Sequence, residues 1–206
     1  MFSDMTVGNF VDSLASSDAV PGGGSAGAIG GAFGASLILM ALRISFKKTG
    51  MNDVAGAIEA DLERGRAVLS SLADLDSEAY SVVMNAYGLP KDTPELKEKR
   101  ASAIQSALRN AAEVPMNTAR ACFSVMRLAF EAFPLCKDSC FSDAASGFHL
   151  ACAGFRSALF NVMINLSSIK DEEFCGSMRG EVESMTSWLE EKLPEAGRIF
   201  AERGIA

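Results

Sequence analysis

Along residues 53–87 apolar and small side chains recur in alternating steps of four and three: Ile58, Leu62, Gly65, Leu69, Leu72, Ala79, Val83 and Ala86. That period predicts one long amphipathic helix with a single buried seam. One position on the seam breaks the pattern, because residue 76 is an Asp. A second stripe, Phe148, Cys152, Phe155, Leu159, Val162, Leu166 and Ile169, predicts a helix over 143–169. Beside it runs a stripe of small residues, Gly147, Ala151, Gly154 and Ala158, which ends in the polar Asn161, Asn165 and Ser168. Further helices are expected near 5–16, 24–48, 94–133 with an interruption at Pro115, and 172–200 disturbed by Pro194. Thr93 before Pro94, Ser142 before Asp143, and Asp171 before Glu172 and Glu173 read as helix starts. No segment alternates with the period of a strand. The expectation is an all-α, single-domain bundle of about six long helices.

The helix over 24–48 is unusual in content. From Ala19 to Leu42 the chain carries no charge, and it passes through Pro21-Gly22-Gly23-Gly24-Ser25 into an apolar run. Gly22, Gly24 and Gly27 match GxGxxG, but no strand leads in, and the GxxxxGK[ST] phosphate loop is absent. The length suits a membrane span, yet seven Gly leave only Ile29 and Phe33 as sizeable apolar side chains before Leu37. The spacing gives a better reading. Gly23, Gly27, Gly31 and Ala35 recur every four residues, so one face is nearly bare and another backbone can approach it closely. Each interior Gly costs about 1 kcal/mol against Ala, which tight burial must offset. A central buried helix follows, with glycines at its entrance that leave backbone N–H groups open to an oxygen ligand.

With 206 residues, 49% of them hydrophobic, the chain is long enough for a sizeable core. A net charge of −7 argues against a nucleic-acid partner. The five Cys are odd in number and lack a framework spacing, and MFSDMTVGNF has neither the basic nor the apolar part of a signal peptide. A reducing cytoplasm is the expected compartment. The single His, His149, excludes a multi-His metal site, and no metal is expected.

Asp76 is the leading candidate for chemistry. Desolvation of a carboxyl on a buried seam raises its pKa toward the range of a general acid, while the bland alternative is an Asp that bonds a neighbour or rotates into solvent. Asp74 is expected to be solvated. Asn161 and Asn165 need partners, found either in an amide-like edge of a ligand or in another helix. Asp143, in the first turn of its helix, is also explained by the macrodipole alone. Lys47, Lys48, Lys91, Lys97, Lys99 and Arg100 gather at helix ends, where charges are usually solvated.

Four segments taken in order, PGGGSAGA (21–28), LDSEAYSVVMNAYGLPK (75–91), KRASAIQSALRNAAEVP (99–115) and FSDAASGFHLACAGFRSALFNVMINLSSIKD (141–171), resemble the cyclodeaminase/cyclohydrolase family. The resemblance covers nearly the whole chain. It implies an all-helical homodimer acting on a folate one-carbon unit, with no cofactor, metal or nucleotide. It also implies roles: Pro21, Gly22, Gly23, Gly24 and Ser25 beside the folate, Asp76 as proton donor four residues before Tyr80, the Ser142–Asp143 pair opening the later helix, and Asn161 and Asn165 at the substrate. Asp143 would position or activate water, and Lys48, with Lys47 and Lys91, would meet the glutamate tail. Two reactions fit, conversion of 5-formiminotetrahydrofolate to 5,10-methenyltetrahydrofolate with release of ammonia, and hydrolysis of the methenyl form to 10-formyltetrahydrofolate. The alternative is a non-catalytic helical interaction module of the same fold. No membrane association is expected.

Overall fold

Each long helix after the second begins at a residue suited to that place, with one exception. The Asn52 side chain accepts from the Ala55 N–H at 2.8 Å, Thr93 Oγ1 from Leu96 at 3.3 Å, and the Asp171 carboxylate from Phe174 at 2.9 Å. Each satisfies one of the donors left free at a helix N-terminus. In the computed structural model, which describes residues 2–205 apart from the Ser3 side chain, these caps open three of six α-helices. The helices are α1 (Val7–Leu14), α2 (Gly23–Phe46), α3 (Asp53–Tyr87), α4 (Pro94–Ala132), α5 (Asp138–Leu166) and α6 (Glu172–Glu202). Short 3-10 turns occupy Phe2–Asp4 and Phe133–Leu135, and no strand occurs among the described residues. The fold is all-α, as the periodicity predicts.

The helix α2 lies against α3, α4 and α5, and its most extensive contact is with α5. Glycine makes that contact possible. A Cβ built on Gly34 would lie 2.6 Å from the Gly147 carbonyl oxygen, and one built on Gly147 would lie 2.6 Å from the Gly34 oxygen. The two backbones therefore touch without side chains between them. Further along, Ala28, Ala35, Ile38, Leu39 and Leu42 are enclosed by protein. By length and composition alone α2 and α5 are apolar enough to cross a membrane, with mean hydropathies of 1.7 and 1.2. In α2, 61% of that apolar window is buried among three neighbouring helices, while Phe33, Met40 and Ile44 stay exposed. Phe133, Phe141, Phe148 and Phe155 fill the centre of the main core, and Phe200 of α6 packs edge-on against the first three.

Four helices differ from expectation. The helix α5 starts at Asp138, with Lys137 at its cap and no side-chain cap bond, so Ser142 does not begin it. Cys140 and Phe141 are both buried and carry the core-facing stripe one turn further back. The helices α4 and α6 run through Pro115 and Pro194 without a break. The first helix is shorter than expected, with Thr6 capping it through the Asn9 N–H.

Candidate active site

The first turn of α2 meets the middle of α3 so closely that a side chain at position 24 would overlap the Asp76 carboxylate. The next residue, Ser25, is fully enclosed. Its N–H donates to Asp76 Oδ2 at 2.9 Å, and its hydroxyl lies 3.1 Å from the same oxygen and 2.8 Å from the Ala73 carbonyl. The cap residue of α2 is Gly22, which has no side chain to offer. Asp76 therefore supplies, from a different helix, the acceptor that a capping side chain would provide. Its other oxygen, Oδ1, has no partner among the described residues. Since no buried side-chain oxygen there is left unpartnered, Oδ1 must reach the cavity that Asp76 lines.

Burial raises the Asp76 pKa above the ordinary carboxylate value. The Ser25 hydroxyl and the Ser25 N–H oppose that rise, because both favour the charged form. Asp76 thus has one oxygen held and one free, and a protonation equilibrium moved in the direction an acid–base catalyst needs.

The cavity measures about 250 Å³. Gly22, Gly23 and Gly24 form one wall, Asp76 and Tyr80 of α3 a second, and Asn161 and Asn165 of α5 a third. The N–H groups of Gly23 and Gly24 have no partner among the described residues. Asn161 donates through Nδ2 to the Ser157 carbonyl at 2.9 Å, and Asn165 through Nδ2 to the Ala111 carbonyl at 2.6 Å. With the amide nitrogens tied to protein, the amide oxygens are what this wall offers as acceptors. Other cavities are larger, including one of 470 Å³ beside Trp188 and one of 450 Å³ under Phe10, but neither contains a buried carboxylate.

The structure brings together Gly22, Gly23, Gly24, Asp76, Asn161 and Asn165. Two neighbours expected to touch a ligand do not line the cavity. Ser25 is enclosed, and its hydroxyl is bonded to Asp76 and the Ala73 carbonyl, so its contact is with the carboxylate. Pro21 is buried behind the loop, joined to Val20 by a cis peptide bond. Three more lie far away. Ser142 and Asp143 are on the same helix as Asn161 but eighteen or more residues before it, about 27 Å at 1.5 Å per residue. Lys48 follows the last turn of α2, about 36 Å from its glycine entrance. Asp74, expected to be solvated, accepts the Phe2 N–H. Ser157 had no place in the sequence reading, yet its hydroxyl donates to the Gly23 carbonyl at 2.8 Å and ties the glycine loop to α5. Its position one turn before Asn161 was the available signal.

Comparison with known proteins identifies the family and the fold. A sequence profile of formiminotransferase-cyclodeaminase matches residues 6–184. The methenyltetrahydrofolate cyclohydrolase of Methylorubrum extorquens is 37% identical over 97% of this chain and 94% of its own. The formimidoyltransferase-cyclodeaminase of Sus scrofa is 33% identical over 93% of this chain but only 35% of its own, so the chain spans about a third of that bifunctional length. A crystal structure of formiminotetrahydrofolate cyclodeaminase from Thermotoga maritima superposes with a TM-score of 0.86 at 28% identity, covering 98% of both chains. With most of its length matched by the profile and by a relative of nearly equal size, this chain belongs to the formiminotransferase-cyclodeaminase family.

Proposed function

We propose that the protein is a folate one-carbon enzyme working at the bridge between N5 and N10. It hydrolyses 5,10-methenyltetrahydrofolate to 10-formyltetrahydrofolate, forms the methenyl bridge from 5-formiminotetrahydrofolate with release of ammonia, or does both. The observation that carries this reading is Asp76. It is a carboxyl of raised pKa with one free oxygen in a cavity that Asn161 and Asn165 also line, on a chain whose relatives are named for these two reactions. The near-full-length match to a cyclohydrolase supports the hydrolytic reading. The cyclodeaminase of the same fold and length supports the deaminating one.

The chemistry needs little beyond an oriented substrate and a proton carrier. In hydrolysis, water adds to the bridge carbon and gives one proton to Asp76 Oδ1. The C–N5 bond then breaks, N5 takes that proton, and the second hydroxyl proton leaves to solvent as the formyl C=O forms. In cyclodeamination, N10 attacks the formimino carbon and its proton passes to the formimino nitrogen; Asp76 then protonates the resulting amine as its C–N bond breaks, so that ammonia departs and the cationic methenyl bridge remains. The substrate supplies its own nucleophile in that case, and neither route calls for a cofactor or metal.

A cavity of 250 Å³ falls below the 300–1,000 Å³ usual for ligand pockets and suits the reacting end of a folate. The remainder would cross the surface beside Tyr80, Phe160 and Ile164, whose apolar side chains are exposed. A homodimer would cover that surface. Ser142, Asp143 and Lys48 can reach the cavity only from a second copy. Five buried, unpaired thiols suit a reducing cytoplasm. The test is the absorbance of the methenyl chromophore, followed from each substrate with wild type and Asp76→Asn. Absence of any acceleration by the wild type would leave the non-catalytic module as the reading.

A further inference from the structure

Residue 115 is a proline buried within α4, and the helix continues through it. Proline has no N–H, so the carbonyl four residues earlier, that of Ala111, lacks its helical donor, and the ring crowds that carbonyl away from the axis. A buried carbonyl in this state needs a partner from elsewhere. Asn165 of α5 provides it, with Nδ2 2.6 Å from the Ala111 oxygen. Ala111 and Asn165 both belong to the wall of the cavity that holds Asp76.

Only the nitrogen end of an amide can donate, so this bond also fixes where the other end points. Asn165 Oδ1 has no partner among the described residues, and no side-chain oxygen there is both buried and unpartnered. It is therefore open to the cavity as an acceptor. Asn161, one turn earlier, is tied in the same sense to the Ser157 carbonyl.

We propose that Pro115 is a positioning residue: by leaving the Ala111 carbonyl without a helical donor it anchors the Asn165 amide nitrogen, so that Asn165 Oδ1 accepts from an N–H edge of the substrate. The ligand chemistry is a heterocycle with adjacent N–H and NH₂ donors, as on an amino-pyrimidinone ring. This rests on the proposed folate site. It assigns a binding consequence to a helix-interior proline that would otherwise be only a defect.

The test uses the full chain with 5,10-methenyltetrahydrofolate or 5-formiminotetrahydrofolate, whichever the wild type turns over. KM, kcat and melting temperature are compared for Pro115→Ala, Asn165→Ala and the double variant. Asn165→Ala is expected to raise KM about tenfold, and Pro115→Ala about fivefold with kcat close to wild type. The melting temperature of Pro115→Ala stays level or rises, because the helix regains a hydrogen bond. The double variant is expected to have the KM of Asn165→Ala alone, since both changes remove the same contact. The proposal is overturned if Pro115→Ala leaves KM unchanged while Asn165→Ala raises it. It is also overturned if the two effects multiply, or if KM rises only together with a fall in melting temperature. An unchanged KM in Asn165→Ala would remove Asn165 from the site and this inference with it. The role of Asp76 is decided separately by Asp76→Asn.

Discussion

The close contact between α2 and α5 allows two alanine substitutions four residues apart to be given opposite signs. At Gly34 an added Cβ would lie 2.6 Å from the Gly147 carbonyl oxygen and 2.9 Å from the Ala151 nitrogen, where ordinary contact begins at 3.4 Å. Both atoms are backbone, so no rotamer change relieves the overlap, and α5 must retreat by most of an ångström. Overpacking of this kind costs about 1–3 kcal/mol, and the better helix propensity of Ala returns about 1 kcal/mol of it. The net loss expected for Gly34→Ala is up to about 2 kcal/mol, which for a chain of this size lowers the melting temperature by up to about 8 °C. At Gly30 an added Cβ meets nothing within 4 Å. Gly30→Ala keeps only the propensity gain and should raise the melting temperature by about 1–4 °C. Thermal unfolding followed by far-ultraviolet circular dichroism measures both. Since α5 also carries Asn161 and Asn165, Gly34→Ala should lose activity at temperatures where it is still folded. If both variants were equally stabilised, side-chain-free contact between the two helices could not be what holds α2 in place.

Other consequences concern the site. Ser25→Ala removes one of two donors that favour the ionised form of Asp76, so the limb of the pH–rate profile belonging to Asp76 should move to higher pH. A loss of rate with the limb unmoved would limit Ser25 to packing. Stability should depend on pH in a definite sense. The folded-state pKa of Asp76 lies above its unfolded value, so the native protein binds the proton more tightly and loses stability as pH rises between the two values. Asp76→Asn keeps an acceptor for both Ser25 donors, so it should melt above wild type at neutral pH, the gap closing on acidification toward pH about 4. Melting curves recorded across that range test the sign. If Asp143 enters the cavity from a second copy, mixing inactive Asp76→Asn and Asp143→Asn proteins after reversible dissociation should recover activity. No recovery from a demonstrated mixed dimer would place Asp143 outside the chemistry.

The long helices were legible because their seams are long. Ile58 through Ala86 and Phe148 through Ile169 repeat often enough to fix both period and burial. The bare face of α2 was also readable, since spacing by four makes Gly23, Gly27 and Gly31 neighbours in any helix. Asp76 stood out because a carboxylate on an apolar seam needs a reason, and the structure gives one in its two bonds to Ser25. The start of α5 was misplaced because Ser142 and Asp143 look like a cap, whereas burial of Cys140 and Phe141 extends the helix past that signal. Local sequence also could not tell that Ser25 turns inward while Gly24 faces the cavity, since that depends on how α3 meets the first turn of α2. Pro115 carries a similar lesson. A proline within a helix pattern normally signals an interruption, but here Asn165, fifty positions later, accepts the role of donor to the Ala111 carbonyl and α4 continues.

The most direct test of the central claim is the near-ultraviolet absorbance of the methenyl bridge in two reactions, one begun from 5-formiminotetrahydrofolate and one from 5,10-methenyltetrahydrofolate, each with wild type and Asp76→Asn. Wild type should accelerate gain of the chromophore in the first, its loss in the second, or both, and Asp76→Asn should reduce the rate by at least about a hundredfold, the lower end for a general acid–base. Wild-type rates with a folded Asp76→Asn protein would contradict the account, because the chemistry would then have to come from another group.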